Sequence, residues 1–149
     1  MVKIILGVIV GFIVWSILWI GTDFVLMAAL PWYRAHQVGM ARAMAEIQPF
    51  SADATVLAMN LVRSILVSMV SGFLAGFVAS ERSRSGLILG ILLLAVGLLV
   101  QVSAWSYMPV WYHVIFLALI VPVTMTGAKL VPLRASAPVD EAKEEEEAS

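Results

Sequence analysis

Long apolar runs, each interrupted by only one or two strongly polar residues, dominate the chain as far as residue 131. A bilayer core is roughly 30 Å thick, and a helix of about 20 mainly apolar residues crosses it. Four stretches meet this requirement: residues 4–30, 54–80, 85–106 and 109–130. The last two are separated near Pro109, since proline ends the helix before it and begins the next one well. The pattern predicts an all-α, four-helix transmembrane bundle over residues 1–131.

The first apolar run also invites comparison with a cleaved signal peptide, because Lys3 precedes it. The run is much longer than the roughly 7–15 apolar residues of a signal peptide, and no clear A-x-A cleavage site follows it. We therefore expect an uncleaved membrane span at residues 4–30.

Two segments lie outside the predicted spans. In residues 31–53, five aromatic, apolar or thioether-containing positions recur at spacings of three and four: Tyr33, His36, Met40, Met44 and Ile47. This spacing predicts a short amphipathic helix in the outer loop, lying on the membrane surface. Residues 132–149 are rich in Ala, Pro and Glu and contain too few apolar residues to form a core, which predicts a disordered acidic tail.

Composition supports a membrane protein and excludes several other classes. Hydrophobic residues make up 62% of the chain and charged residues 13%, about half the charged fraction of a soluble domain. The absence of cysteine excludes disulfides, thiolate catalysis and cysteine-ligated metals. No basic patch with interleaved aromatics suggests a nucleic-acid partner. Because no phosphate loop, dinucleotide fingerprint or G-x-S-x-G motif is present, we expect no cofactor and favour a non-enzymatic role.

The distribution of basic residues predicts the orientation. Only Arg34 and Arg42 lie on the side of the long loop, whereas six basic residues lie on the other: Lys3, Arg82, Arg84, Lys129, Arg134 and Lys143. By the positive-inside rule, both termini of this multi-pass protein are expected in the cytoplasm, with the protein in the bacterial inner or plasma membrane.

Aromatic residues gather on the predicted outer side of the membrane. The group contains all three tyrosines and three of the tryptophans: Tyr33, Tyr107, Tyr112, Trp32, Trp105 and Trp111. Such residues place their rings in lipid and their polar groups in water. We therefore expect them to form an interfacial belt.

Small residues at a spacing of about four mark the predicted helix contacts. Since lipid is as apolar as leucine, helices within it associate by close packing and hydrogen bonds. The candidate packing positions are Gly7, Gly11, Ser64, Ser68, Gly72, Gly76, Gly86, Gly90 and Gly97. We expect four helices not to use every such face internally, which would leave some for a second copy or another membrane subunit.

Each predicted span carries at least one strongly polar residue in its outer half. These residues are Asp23, Asn60, Arg63, Gln101 and His113. An unpaired charge at mid-bilayer costs about 2.5–3.5 kcal/mol on the insertion scale, so we predict that Asp23 and Arg63 form a buried ion pair. The cluster is either a polar pocket open to the outside or a set of structural bonds that fixes helix order.

The outer loop also contains the pattern H-x-x-x-M-x-x-x-M, formed by His36, Met40 and Met44. Imidazole and thioether groups suit copper(I), so these residues are weak candidates for a metal site. The alternative is that they form the lipid-facing side of the loop helix.

The overall plan resembles that of small four-span bacterial integral membrane proteins of unknown function. The stretches that carry the resemblance are Gly7–Gly11, Gly72–Gly76, Glu81–Arg84 and Gly127–Lys129. The resemblance implies the architecture and no activity.

Two hypotheses for the function follow. In the first, the protein is an accessory or assembly subunit, or a small homo-oligomer, that acts through helix packing in the lipid bilayer. In the second, it is a small transporter, channel component or ligand-binding protein that uses the polar cluster around Asp23 and Arg63.

Overall fold

The computed structural model describes residues 1–132 as a bundle of five α-helices. The helices are α1 (Val2–Ala29), α2 (Pro31–Glu46), α3 (Ala54–Ala79), α4 (Ser83–Ser103) and α5 (Val110–Lys129). All except α2 are long and apolar enough to cross a membrane. The predicted all-helical bundle with a helix in the loop between the first two spans is therefore confirmed, and the protein is a small multi-pass membrane protein. From residue 133 onward, the predicted acidic tail lies outside the described residues.

The boundaries of α2 and α3 follow from local sequence. Leu30 is extended, with φ −123° and ψ 99°, and Pro31 begins α2 at a position where its missing N–H costs nothing. Asp53 caps α3, because its Oδ1 accepts hydrogen bonds from the backbone N–H groups of Thr55 and Val56 at 2.7 and 3.2 Å. These two turns place α2 across one end of the bundle, here called the α2 end.

The helix α3 lies at the centre of the bundle, with α1 against one side and α5 against the other. A side chain on Gly7 or Gly11 would collide with Ala75 of α3, and one on Gly72 would collide with the Thr124 carbonyl of α5. The other predicted packing glycines, on α3 and α4, all face α5: Gly76, Gly86, Gly90 and Gly97.

These small-residue faces thus contact other helices of the same chain. Ser64 and Ser68 are buried as well, so every predicted packing position is occupied within the chain. The reason is that α3 carries small residues on two sides and packs a different helix on each. The large apolar side chains of α1 instead point outward, as Ile13, Ile17 and Phe24 do, which suits contact with lipid.

Candidate functional site

At the α2 end, buried aromatic side chains form part of the contact between α2 and the bundle. The sequence had predicted these aromatic residues in the interfacial belt. Tyr33 is fully buried and points into the bundle, and Tyr112 is also buried. The belt prediction is wrong for these two residues, because the Tyr33 hydroxyl has polar partners on other helices and the Tyr112 ring stacks on Phe116. Three tryptophans of the predicted belt remain nearly half exposed: Trp32, Trp105 and Trp111.

An ion pair joins α1 to α3 beneath α2. Arg63 Nη1 donates to Asp23 Oδ1 at 2.7 Å, with side-chain exposures of 8% for Arg63 and 32% for Asp23. The guanidinium of Arg63 also lies 4.2 Å from the centre of the Trp19 ring, a distance that allows a favourable cation–π contact. Trp19 in turn stacks on Trp15 at 5.4 Å. The buried arginine is therefore held by a carboxylate and by an aromatic face.

The hydroxyl of Tyr33 connects the ion pair to α2. It accepts hydrogen bonds from Arg63 Nη1 at 3.0 Å and from Gln37 Nε2 at 2.7 Å. Its single proton faces Asp23 Oδ1 at 2.7 Å and Asn60 Oδ1 at 3.0 Å. Burial and the bond to Asp23 raise the pKa of Tyr33, although the charge of Arg63 opposes the shift. Tyr33 therefore remains a protonated donor at neutral pH.

Tyr33 and Gln37 belong to the candidate site and were not predicted as part of it from the sequence. They lie one helical turn apart on α2, so both reach the same side of the bundle. The only available signal was this spacing of two hydrogen-bonding side chains directly after a short connection to the helix that carries Asp23.

Gln101 and His113 form a separate group on α4 and α5. The Gln101 Oε1 atom lies 2.6 Å from His113 Nδ1, and His113 Nε2 lies 3.3 Å from the Met108 carbonyl oxygen. His113 is fully buried and stacks on Trp105 with ring centres 4.5 Å apart. The five predicted polar residues thus form two groups, one around Asp23, Asn60 and Arg63 and one formed by Gln101 and His113.

A cavity of about 220 Å³ lies among these elements, and residues from all five helices line it. Its polar lining comprises Asp23, His36, Gln37, Asn60, Arg63, Gln101 and Tyr112. Its apolar lining includes Leu57, Val100 and Phe116. An engineered cavity of about 150 Å³ can hold benzene. The cavity beneath α2 therefore has room for a slightly larger molecule or for several waters.

A second, more open groove of about 400 Å³ runs between α1 and α2. Its lining is mainly apolar, and Arg34 is its only charged residue. Although this groove is larger, it contains none of the predicted polar cluster. We therefore place the candidate site in the cavity beneath α2.

Of the three weak metal candidates, His36 has a structural contact of its own. His36 Nε2 accepts a hydrogen bond from the backbone N–H of Asp53 at 3.1 Å, and its ring packs edge-on against Phe50. His36 and Met40 line the cavity, whereas Met44 does not. In the described part of the chain, no three His, Cys, Asp or Glu residues are grouped as metal ligands would be. His36 Nε2 thus already binds the segment before α3.

This contact predicts that the segment before α3 loosens in acid. Burial lowers the pKa of His36 from 6.5, although the Asp53 carboxylate opposes the shift. The folded state thus prefers the neutral ring, whose stabilisation is complete above about pH 6.5 and is lost as the pH falls through the lowered folded pKa. We expect hydrogen exchange at the Asp53 amide to increase in acid beyond the intrinsic pH effect. In His36→Gln this additional pH dependence should disappear, and its persistence would contradict the assignment.

No protein-family model, curated protein or solved structure matches this chain. The chemistry of the cavity follows from its own side chains, which supply one carboxylate, one guanidinium, one imidazole, three amides and a buried phenol. Such groups bind and orient polar molecules through charge-assisted hydrogen bonds.

Proposed function

We propose that this protein binds a small polar molecule in the cavity beneath α2, with the Asp23–Arg63 pair as the centre of the site. The observation that carries the proposal is the cavity itself, which lies directly beside a buried ion pair. Protein interiors are closely packed, whereas this pair lines a partly open cavity. A cavity of about 220 Å³ whose mainly apolar walls carry an ion pair and several amides instead suits an occupant with a few hydrogen-bonding groups.

The assembly hypothesis has less support from the structure. It relied on small-residue faces left over for a partner, and these faces contact other helices of the same chain. We propose no reaction and no transport path, because the predicted polar residues gather at the α2 end of the bundle. A transporter uses groups near the midplane that both sides of the membrane can reach.

We also propose which side of the membrane the cavity faces. The excess of basic residues at the opposite end of the bundle supports an α2 end that faces away from the cytoplasm of the cell membrane. The ligand would then enter from the outer side, past α2.

The double variant Asp23→Asn/Arg63→Gln tests the proposed function. It removes both charges together, so neither is left alone, and it places an uncharged amide at each position, with Asn isosteric to Asp and Gln shorter than Arg. We expect the variant to remain folded and to lose the small molecule that the gently extracted wild-type protein retains in native mass spectrometry. The matched control is Arg42→Gln/Glu46→Gln, which removes the exposed ion pair of α2 and should keep the bound mass.

Three results would contradict the proposal. The first is a wild-type protein that carries no bound small molecule, and the second is a double variant that carries it unchanged. The third is a double variant that fails to fold while the α2 control folds normally, which would make the pair a structural element of the bundle.

A further inference from the structure

We infer that the occupant of the cavity is a zwitterion that carries an ammonium group close to a carboxylate or phosphate. This inference rests on the proposed binding function and names the chemical class of the ligand. It follows from two observations. The first is which atoms of Asp23 and Arg63 already form hydrogen bonds, and the second is the net charge of the pair that lines the cavity.

The carboxylate of Asp23 has one engaged oxygen and one open oxygen. Within residues 1–132, every hydrogen bond to this side chain ends on Oδ1, from Tyr33, Gln37 and Arg63. The side chain lines the cavity and is 32% exposed. A carboxylate can accept about four hydrogen bonds over its two oxygens, so Oδ2 offers an acceptor for the N–H groups of an ammonium.

The guanidinium of Arg63 is likewise only partly used. Its hydrogen bonds within the described residues come from Nη1 alone, and its buried Nε has no partner there. Arg63 lines the cavity and is more than nine-tenths buried. Guanidinium groups favour carboxylate and phosphate oxygens, so the remaining donors, Nη2 first, suit an anionic group of the ligand.

The charge balance of the cavity selects between ligand classes. Asp23 and Arg63 together carry no net charge, so a ligand with a net charge would leave one charge uncompensated. Charges held inside a membrane protein are costly unless they are paired. An uncharged ligand avoids that cost but forms weaker hydrogen bonds with the two charged groups. A zwitterion meets both conditions, because it matches each charge and adds none.

Size and lining limit the ligand further. About 220 Å³ accommodates on the order of ten non-hydrogen atoms, judged against the benzene held by about 150 Å³. The apolar walls of Leu57, Val100 and Phe116 leave space for a short hydrocarbon group. A free amino acid and the aminoethyl phosphate headgroup of a lipid share this chemistry, and experiment can separate these two sources.

The first arm uses the full chain in nanodiscs of phosphatidylglycerol, which has no ammonium group. Leucine is compared with leucinamide, 4-methylpentanoate and 4-methylpentanamide, which have the same skeleton with a positive, negative or zero charge. Phenylalanine and its three analogues form a second series. If the ligand is a free amino acid, at least one of the two zwitterions should bind about tenfold or more tightly than its analogues, measured by calorimetry.

The second arm tests the lipid source. Protein in nanodiscs that contain equal amounts of phosphatidylethanolamine and phosphatidylglycerol is released into native mass spectrometry. If a headgroup fills the cavity, the wild-type protein and the Arg42→Gln/Glu46→Gln control should retain one phosphatidylethanolamine. The Asp23→Asn/Arg63→Gln variant should lose that preference.

The outcomes separate this inference from the proposed function. Zwitterion preference in either arm, lost in the double variant, supports it. If a singly charged or uncharged molecule binds in the cavity and zwitterions are not preferred in either arm, the inference is wrong while the binding function stands. If the wild-type protein binds nothing in either arm and retains no small molecule on extraction, both fail.

Discussion

Replacing Asp23 by asparagine is expected to destabilise the folded bundle by about 3–5 kcal/mol, because it leaves a buried arginine without its counter-ion. Arg63 is only 8% exposed, so it cannot turn to water without moving α2. The Trp19 face would still lie against the guanidinium, but a cation–π contact supplies roughly 0.5–2 kcal/mol and does not replace the carboxylate. Unfolding of the variant in detergent, followed by circular dichroism, measures the loss.

The two single variants should differ, which distinguishes this explanation from a general loss of polar contacts. Arg63→Gln leaves Asp23, which is 32% exposed and keeps its bonds to Tyr33 and Gln37. It should therefore cost less than Asp23→Asn. The double variant should also be more stable than Asp23→Asn alone, since no buried charge remains. Equal losses in the two single variants, with a double variant equal to their sum, would show that the charges are not coupled.

The ion pair could be predicted from the sequence because two simple constraints apply to it. A charge within an apolar span must find a partner, and Asp23 and Arg63 are the only charged residues within the first two predicted spans. The depth of each along its helix placed the two side chains at a similar level. No comparable constraint acted on Gln101 and His113. These two polar side chains could bond to each other, as they do, or to the Asp23–Arg63 pair.

The buried position of Tyr33 could not be predicted from the sequence in the same way. A tyrosine at a membrane surface is as well suited to the interface as to a buried bond, and the periodicity of α2 does not say which face turns inward. The choice depends on the reversal at Leu30, which turns the chain back over Asp23. That reversal depends on backbone angles that the hydrophobic pattern does not contain. The cavity could not be predicted from the sequence either, because its volume depends on how the helices pack against one another.

The spacing of small residues along the sequence likewise predicted some features of the helix packing and not others. Small residues four apart correctly marked close approaches, but they did not identify the partner helix of each face. The face of Gly72 meets α5, whereas that of Gly11 meets α3 and Leu89 of α4. Those pairings require the three-dimensional arrangement, in which α3 is enclosed on both sides. This arrangement also leads to the second prediction with a large expected effect.

Replacing Gly72 by alanine is expected to destabilise the bundle by about 1–3 kcal/mol, the usual cost of overpacking. The added Cβ would overlap the backbone carbonyl of Thr124, and a backbone group cannot rotate away as a side chain can. The α3–α5 contact would therefore have to open. Gly21→Ala is the matched control, since no atom lies within 4 Å of the position of its Cβ.

The two substitutions should change stability in opposite directions, because alanine favours a helix over glycine by about 0.8–1.0 kcal/mol when no contact opposes it. Gly21→Ala should thus be neutral or slightly stabilising, and Gly72→Ala destabilising, in the same unfolding measurement in detergent. The sign of the difference identifies close packing rather than helix propensity as the reason for glycine at position 72. If both variants were equally stable, the α3–α5 approach would be looser than described. In that case the walls of the cavity, which α3 and α5 help to form, would be free to adjust around a larger ligand.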